Sequence, residues 1–127
     1  MRLADQGGSW RCATSRVDPR FTECRGVTQR DTTPVTLTAS LVNGAVAVML
    51  LSAVVDNETG GAWLRDLATR YGEVAPRVSG GLAFWQWVRR GRMIRLTTRL
   101  EGDRRLVSVS LVDGHLLDGL DQPPGLR

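Results

Sequence analysis

Residues 82–113, LAFWQWVRRGRMIRLTTRLEGDRRLVSVSLVD, decide the fold. Three runs of alternating apolar and polar residues are joined by two turn signals, Arg90-Gly91 and Gly102-Asp103. Glycine tolerates the positive φ that two-residue hairpin turns demand. Counting outward from both turns sets Trp87 opposite Ile94, Trp85 opposite Leu96, Thr98 opposite Val107, Leu96 opposite Val109 and Ile94 opposite Leu111. All of these then share one face, because strand side chains alternate in direction. Phe84, Gln86, Met93, Arg95, Thr97, Arg99, Ser108 and Ser110 fall on the other. Two independent turns thus select one buried face, and the tryptophans belong to a core.

Upstream, Asn43-Gly44 separates two β-rich runs within 35–55 and predicts a second hairpin, since Asn-Gly suits a type I′ turn. Counting from that turn pairs Leu41 with Val46, Ala39 with Val48 and Leu37 with Leu50 on one apolar face. Residues 45–55 are apolar on both faces, as in a central strand. Between the two sheet segments the spacing predicts one helix over about 58–71. Trp63 or Leu64, Leu67, Ala68 and Tyr71 form its apolar stripe. Asn57 or Thr59 would cap its start and Gly72 its end in a left-handed conformation. The Gly60-Gly61 pair weakens the first turn, so that the helix could begin only near Ala62. Residues 73–81 read as a loop. Leu116, Leu117 and Leu120 suggest a short helical turn after Asp113-Gly114. The expected architecture is α+β: a mostly antiparallel sheet, built of hairpin 35–55 and meander 82–113, with the helix packed on one face.

At 127 residues the chain supports one domain, set at 9–121, with a flexible leader at 1–8 and a disordered tail at 122–127. Apolar residues make up 42% and charged residues 24%, the proportions of an ordinary globular protein. All 17 basic residues are arginine, which points to GC-rich codon bias more than to a chemical preference, and the net charge of +4 permits acidic partners without requiring them. The longest apolar run, 45–55, falls short of the roughly 20 residues a membrane-spanning helix needs. The opening residues lack the apolar core of a signal peptide, which leaves either a cytoplasmic protein or one whose leader lies outside this sequence.

Cys12 and Cys24 flank an Asp18-Pro19 turn signal, and short strands on either side would bring them together. A disulfide is expected, and with it a periplasmic or secreted location. Two cysteines and one histidine fall short of the usual four zinc ligands, and the spacing is far from C-x-x-C. No metal or cofactor is expected. His115, between Asp113 and Asp118, could form an oriented acid–base pair, yet Asp-Gly-His after a strand is also an ordinary solvated turn, and no nucleophile is placed beside it. No catalytic residue is assigned.

The sharper candidates are outward arginines. Arg95 and Arg99, with Arg92, Phe84, Gln86 and Met93, form the predicted partner-binding set. Arginine, aromatic and methionine side chains are enriched at protein interfaces. Arginines beside an aromatic also resemble single-strand nucleic-acid platforms, though Glu101 and Asp103 dilute the field here. The expectation is therefore a non-enzymatic protein-interaction module, an extracytoplasmic accessory subunit docking on a larger, membrane-associated complex. The alternative is a single-stranded nucleic-acid-binding module that uses the same face.

Overall fold

The computed structural model describes residues 9–30 and 33–118. The leader at 1–8, the tail at 122–127 and Leu120 lie outside the described residues. One eight-stranded antiparallel sheet dominates, in the order β1-β2-β3-β4-β8-β7-β6-β5. The strands are β1 (Ser9–Thr14), β2 (Phe21–Arg30), β3 (Thr33–Val42), β4 (Ala45–Val55), β5 (Arg77–Ser79), β6 (Leu82–Arg89), β7 (Arg92–Glu101) and β8 (Arg104–Asp113). Helix α1 (Asn57–Tyr71) follows β4 and a short α2 (Gly114–Asp118) follows β8. Two four-stranded meanders, each followed by a helix, therefore meet through the central antiparallel pair β4/β8. This layout relates the halves by an approximate two-fold axis normal to the sheet.

The meander has the register its two turns dictate. Trp87 faces Ile94, Leu96 faces both Trp85 and Val109, and Thr98 faces Val107. Arg90 and Gly91 both take positive φ, 54° and 76°, so the strands leave the turn with matching twist.

The upstream hairpin departs from the expected pairing. Leu41 does face Val46, but a bulge follows, and Ser40 then faces Val48, Ala39 faces Met49 and Leu37 faces Leu51. Ala47 is the extra residue. The cause is the composition of β4, which is apolar on both sides, so alternation alone does not pin its register. Slipping by one places Met49, Leu51, Ala53 and Val55 on the core side and turns Val48 and Leu50 to the other.

Helix α1 starts earlier than the glycine pair suggests. Its N-cap is Asp56, whose carboxylate accepts the Thr59 N–H at 2.7 Å, instead of Asn57 or Thr59. Gly60 is buried, and a Cβ there would lie 3.5 Å from Val107 Cγ2 and 3.7 Å from Val55 Cγ2, so packing against the sheet outweighs weak local propensity. At the other end Gly72 has φ 101° and ψ 167°, an extended ψ in place of the left-handed cap, and its N–H bonds Ala68 O at 2.8 Å.

Two clusters make the core. The larger joins Val35, Leu37, Ala53, Val55, Trp87, Leu96 and Val107, with Trp63, Leu64 and Leu67 of α1 packed against it. Trp87 also donates its indole N–H to Gly72 O at 2.8 Å and lies 6.5 Å, centroid to centroid, from Tyr71. The smaller cluster holds Cys24, Ala39, Val46 and Met49, and Trp10 touches both.

At the sheet edge Cys12 and Cys24 are direct cross-strand partners and are bonded to each other. The connecting turn is held by Ser15 Oγ, which accepts the N–H groups of Val17 and Asp18, and by Asp18, which accepts from Arg20 Nε and Nη2. A further strand, β5, occupies part of the segment expected to be loop. No helix among the described residues is long and apolar enough to cross a membrane.

Candidate interaction surface

Alternation assigns each meander side chain to the core side or to the opposite, outer side of the sheet. Arg95 and Gln86 are direct cross-strand partners there. Arg95 donates from Nε and Nη2 to Gln86 Oε1 at 2.9 and 2.5 Å. Its guanidinium lies 4.7 Å from the centroid of the Phe84 ring, within cation–π range. Three predicted residues thus form one unit, and with Ala75 and Arg77 they line a small recess.

The other three are placed apart from it. Arg99 lies four residues along β7, about 13 Å away at strand rise, and is bonded to Glu101 at 2.6 Å. Met93 shares the outer side and is half-buried. Arg92 does not belong to this row. It has the parity of Ile94 and Leu96, hence the core side of β7, and at the strand end it approaches Asp113 at 3.5 Å. Proximity in sequence grouped it with Met93, and alternation separates them.

Sequence reasoning missed how far this side extends. Direct cross-strand partners run from Arg11 and Arg25 through Thr38, Leu50 and Ser110 to Arg95 and Gln86. Had Cys12 and Cys24 been set directly opposite each other, Arg11 opposite Arg25 would have followed. Flanking this row, Ser52 and Ser108 exchange a hydroxyl hydrogen bond of 3.2 Å. Four large apolar side chains on the outer side are strongly exposed: Val27 at 60%, Val54 at 47%, Leu82 at 42% and Val88 at 67%.

The histidine is tied into a turn. His115 Nε2 lies 3.1 Å from Arg90 O, and Asp113 Oδ1 accepts the main-chain N–H groups of His115 and Leu116. Asp113 therefore caps the last helix and does not contact the imidazole. Among the described residues no cluster of His, Cys, Asp and Glu could hold a metal ion.

No protein-family model, curated protein or solved structure matches the chain.

Proposed function

We propose that the protein is a non-enzymatic interaction module, an extracytoplasmic accessory subunit that docks on a larger, membrane-associated assembly through the outer side of its sheet. In this reading α1 forms a layer over the core side and leaves the outer side for a partner. The observation that carries it is the exposure of Leu82 and Val88 along β6 on either side of an arginine-capped Phe84, with exposed Val54 in the Leu82 row and exposed Val27 on the same side at β2. Arginine, aromatic and exposed apolar side chains brought together on one side are enriched at protein interaction sites.

The dimensions agree. Eight strands about 4.8 Å apart span roughly 34 Å, and ten-residue strands about 33 Å, so the face offers on the order of the 800 Å² per partner of a standard interface. The disulfide favours an oxidising compartment. The nucleic-acid alternative is weakened by Arg95 itself, which occupies the face of the Phe84 ring on which a base would stack.

A photo-cross-linking residue at Thr97, on the outer side, and another at Thr69, exposed on α1, test the proposal in the native host. A discrete adduct is expected at Thr97 only, and Arg95→Glu, which sets a carboxylate on that side, should abolish it while the chain keeps a cooperative urea transition. The same adducts from both positions, or none from Thr97, would refute docking. Binding of single-stranded oligonucleotides that falls steeply with salt would replace it with the alternative.

A further inference from the structure

A second surface lies on the core side, where the sheet runs past the end of α1. Trp87, Ile94 and Leu111 are successive cross-strand partners and form an apolar floor. Val46 and Ala47, brought together by the bulge in β4, extend it, and Tyr71 and Val74 stand at its wall. The next row toward the β6–β7 turn is Arg89, Arg92 and Asp113, again direct partners. Together these residues line a half-open groove of about 830 Å³. That volume lies within the range of sites that take small molecules. β5 ends its pairing at Phe84, so from Trp85 to Arg89 strand β6 has only β7 beside it and its other edge is left without a strand.

The chemistry of the groove is two-sided. Trp87 spends its only polar group on Gly72 O and is 7% exposed, so the small part of it that reaches the groove is hydrocarbon. The rim is cationic. Among the described residues Arg89 and Arg90 make no salt bridge, and Arg92 meets only Asp113, at 3.5 Å, with 76% of its side chain exposed. Three guanidinium groups therefore face one carboxylate across the mouth of an apolar trough. Arginine pairs well with carboxylate and phosphate oxygens, and the floor gains by covering hydrocarbon. A peptide would find few partners for its polar main chain on such a floor, whereas an acyl chain needs none.

We propose that this groove binds an anionic amphiphile, with its acyl chain along Trp87, Ile94 and Leu111 and its head group on Arg89 and Arg90. The shared chemistry is a hydrocarbon chain carrying a terminal carboxylate or phosphate. Gln86, Val88 and Met93 of the outer side also reach the groove's lining, but its floor and the Arg89 row lie on the core side, and neither proposal needs the other.

Bromine quenches tryptophan at short range, so 11-bromoundecanoic acid, a chain-brominated lysophosphatidic acid, the neutral methyl ester of the former and a bromoalkyl trimethylammonium are titrated against the full chain. Saturable quenching by the anionic probes is expected, at least tenfold tighter than by the ester or the cation. A preference between the two anionic heads tells a free fatty acid from a lysophospholipid. Trp87→Phe should remove most of the quenching amplitude, which sets the site apart from the other tryptophans. The double variant Arg89→Glu/Arg90→Glu, at the exposed end of β6 and the turn after it, should weaken anionic binding at least tenfold and leave the urea midpoint unchanged. Absence of saturable quenching, which also follows if a protein segment is the true occupant, would overturn the proposal. So would equal binding of anionic and cationic probes, or an affinity that survives the charge reversal.

Discussion

Gly60 is buried in the first turn of α1, beside Val55 and Val107 of the sheet, and intuition forbids enlarging it. The distances say otherwise. A Cβ at Gly60 would meet Val107 Cγ2 at 3.5 Å, Arg105 Cδ at 3.7 Å and Val55 Cγ2 at 3.7 Å, all ordinary van der Waals separations. Gly60→Ala therefore creates contacts without overlap. Alanine is favoured over glycine inside a helix by about 0.8–1 kcal/mol. The three new contacts add about 0.1–0.2 kcal/mol each. The variant should be more stable by about 1–1.5 kcal/mol, seen as a higher urea midpoint with an unchanged slope. Gly61→Ala is the reference, because its Cβ would meet only Arg65 Nη1, the end of a flexible side chain, at 3.3 Å. It should gain the propensity term alone. Gly60→Leu should lose about 1–3 kcal/mol by overpacking against the same three side chains. If Gly60→Ala lowers the midpoint while Gly61→Ala raises it, the helix approaches the sheet more closely than these distances allow, and the reasoning fails.

Two further outcomes follow from the edges of the fold. Reducing Cys12–Cys24, twelve residues apart, should lower stability by about 3 kcal/mol through loop-closure entropy returned to the unfolded chain. Urea midpoints with and without reductant measure it, and a change below about 1 kcal/mol would show that β1 holds its place without the bond. The Asp56 carboxyl sits below its ordinary 3.8 because it accepts the Thr59 N–H first and the Thr59 hydroxyl second, with Arg104 adding a smaller attraction. A folded-state pKa below the unfolded one gives stability that is present above the unfolded value and lost as pH falls through the folded value. Wild type should therefore lose part of its margin over Asp56→Asn as pH drops below about 4, and a pH-independent difference in urea midpoint would contradict the assignment.

How much of this was legible in the sequence varied with how many constraints acted on each residue. The meander register was overdetermined, since two turns and one alternating pattern had to agree. In β4 a single turn acts on a strand apolar on both faces, so alternation carries no trace of the bulge at Ala47. Strand β5 has three residues, all exposed, too few for any period to show. At the helix start Asn57 and Thr59 both suit a cap by residue type, and only the backbone shows that Asp56, one position upstream, takes the role. The Arg95–Gln86–Phe84 unit was within reach of register counting. The groove was not, because it depends on where α1 ends relative to Trp87, and that is set by tertiary packing.

The all-arginine composition also takes on a different meaning once each guanidinium is located. Codon bias can explain why lysine is absent, but it does not explain how the planar group is used. Arg95 covers the Phe84 ring while bonding Gln86, Arg30 lies 5.6 Å from the Trp63 centroid, and Arg20 chelates Asp18. A lysine ammonium, as a point charge, would reproduce none of these flat or forked contacts. Such arginines are committed within the protein, and Arg99 is likewise spent on Glu101. On the outer side Arg95 and Arg99 are thus held in place, but among the described residues only Arg99 has an ion pair there and Arg11 faces Arg25, so docking on that side should combine apolar burial with a salt-sensitive part. At the groove rim Arg89 and Arg90 keep their charge for a ligand, and capture there should weaken as salt screens it.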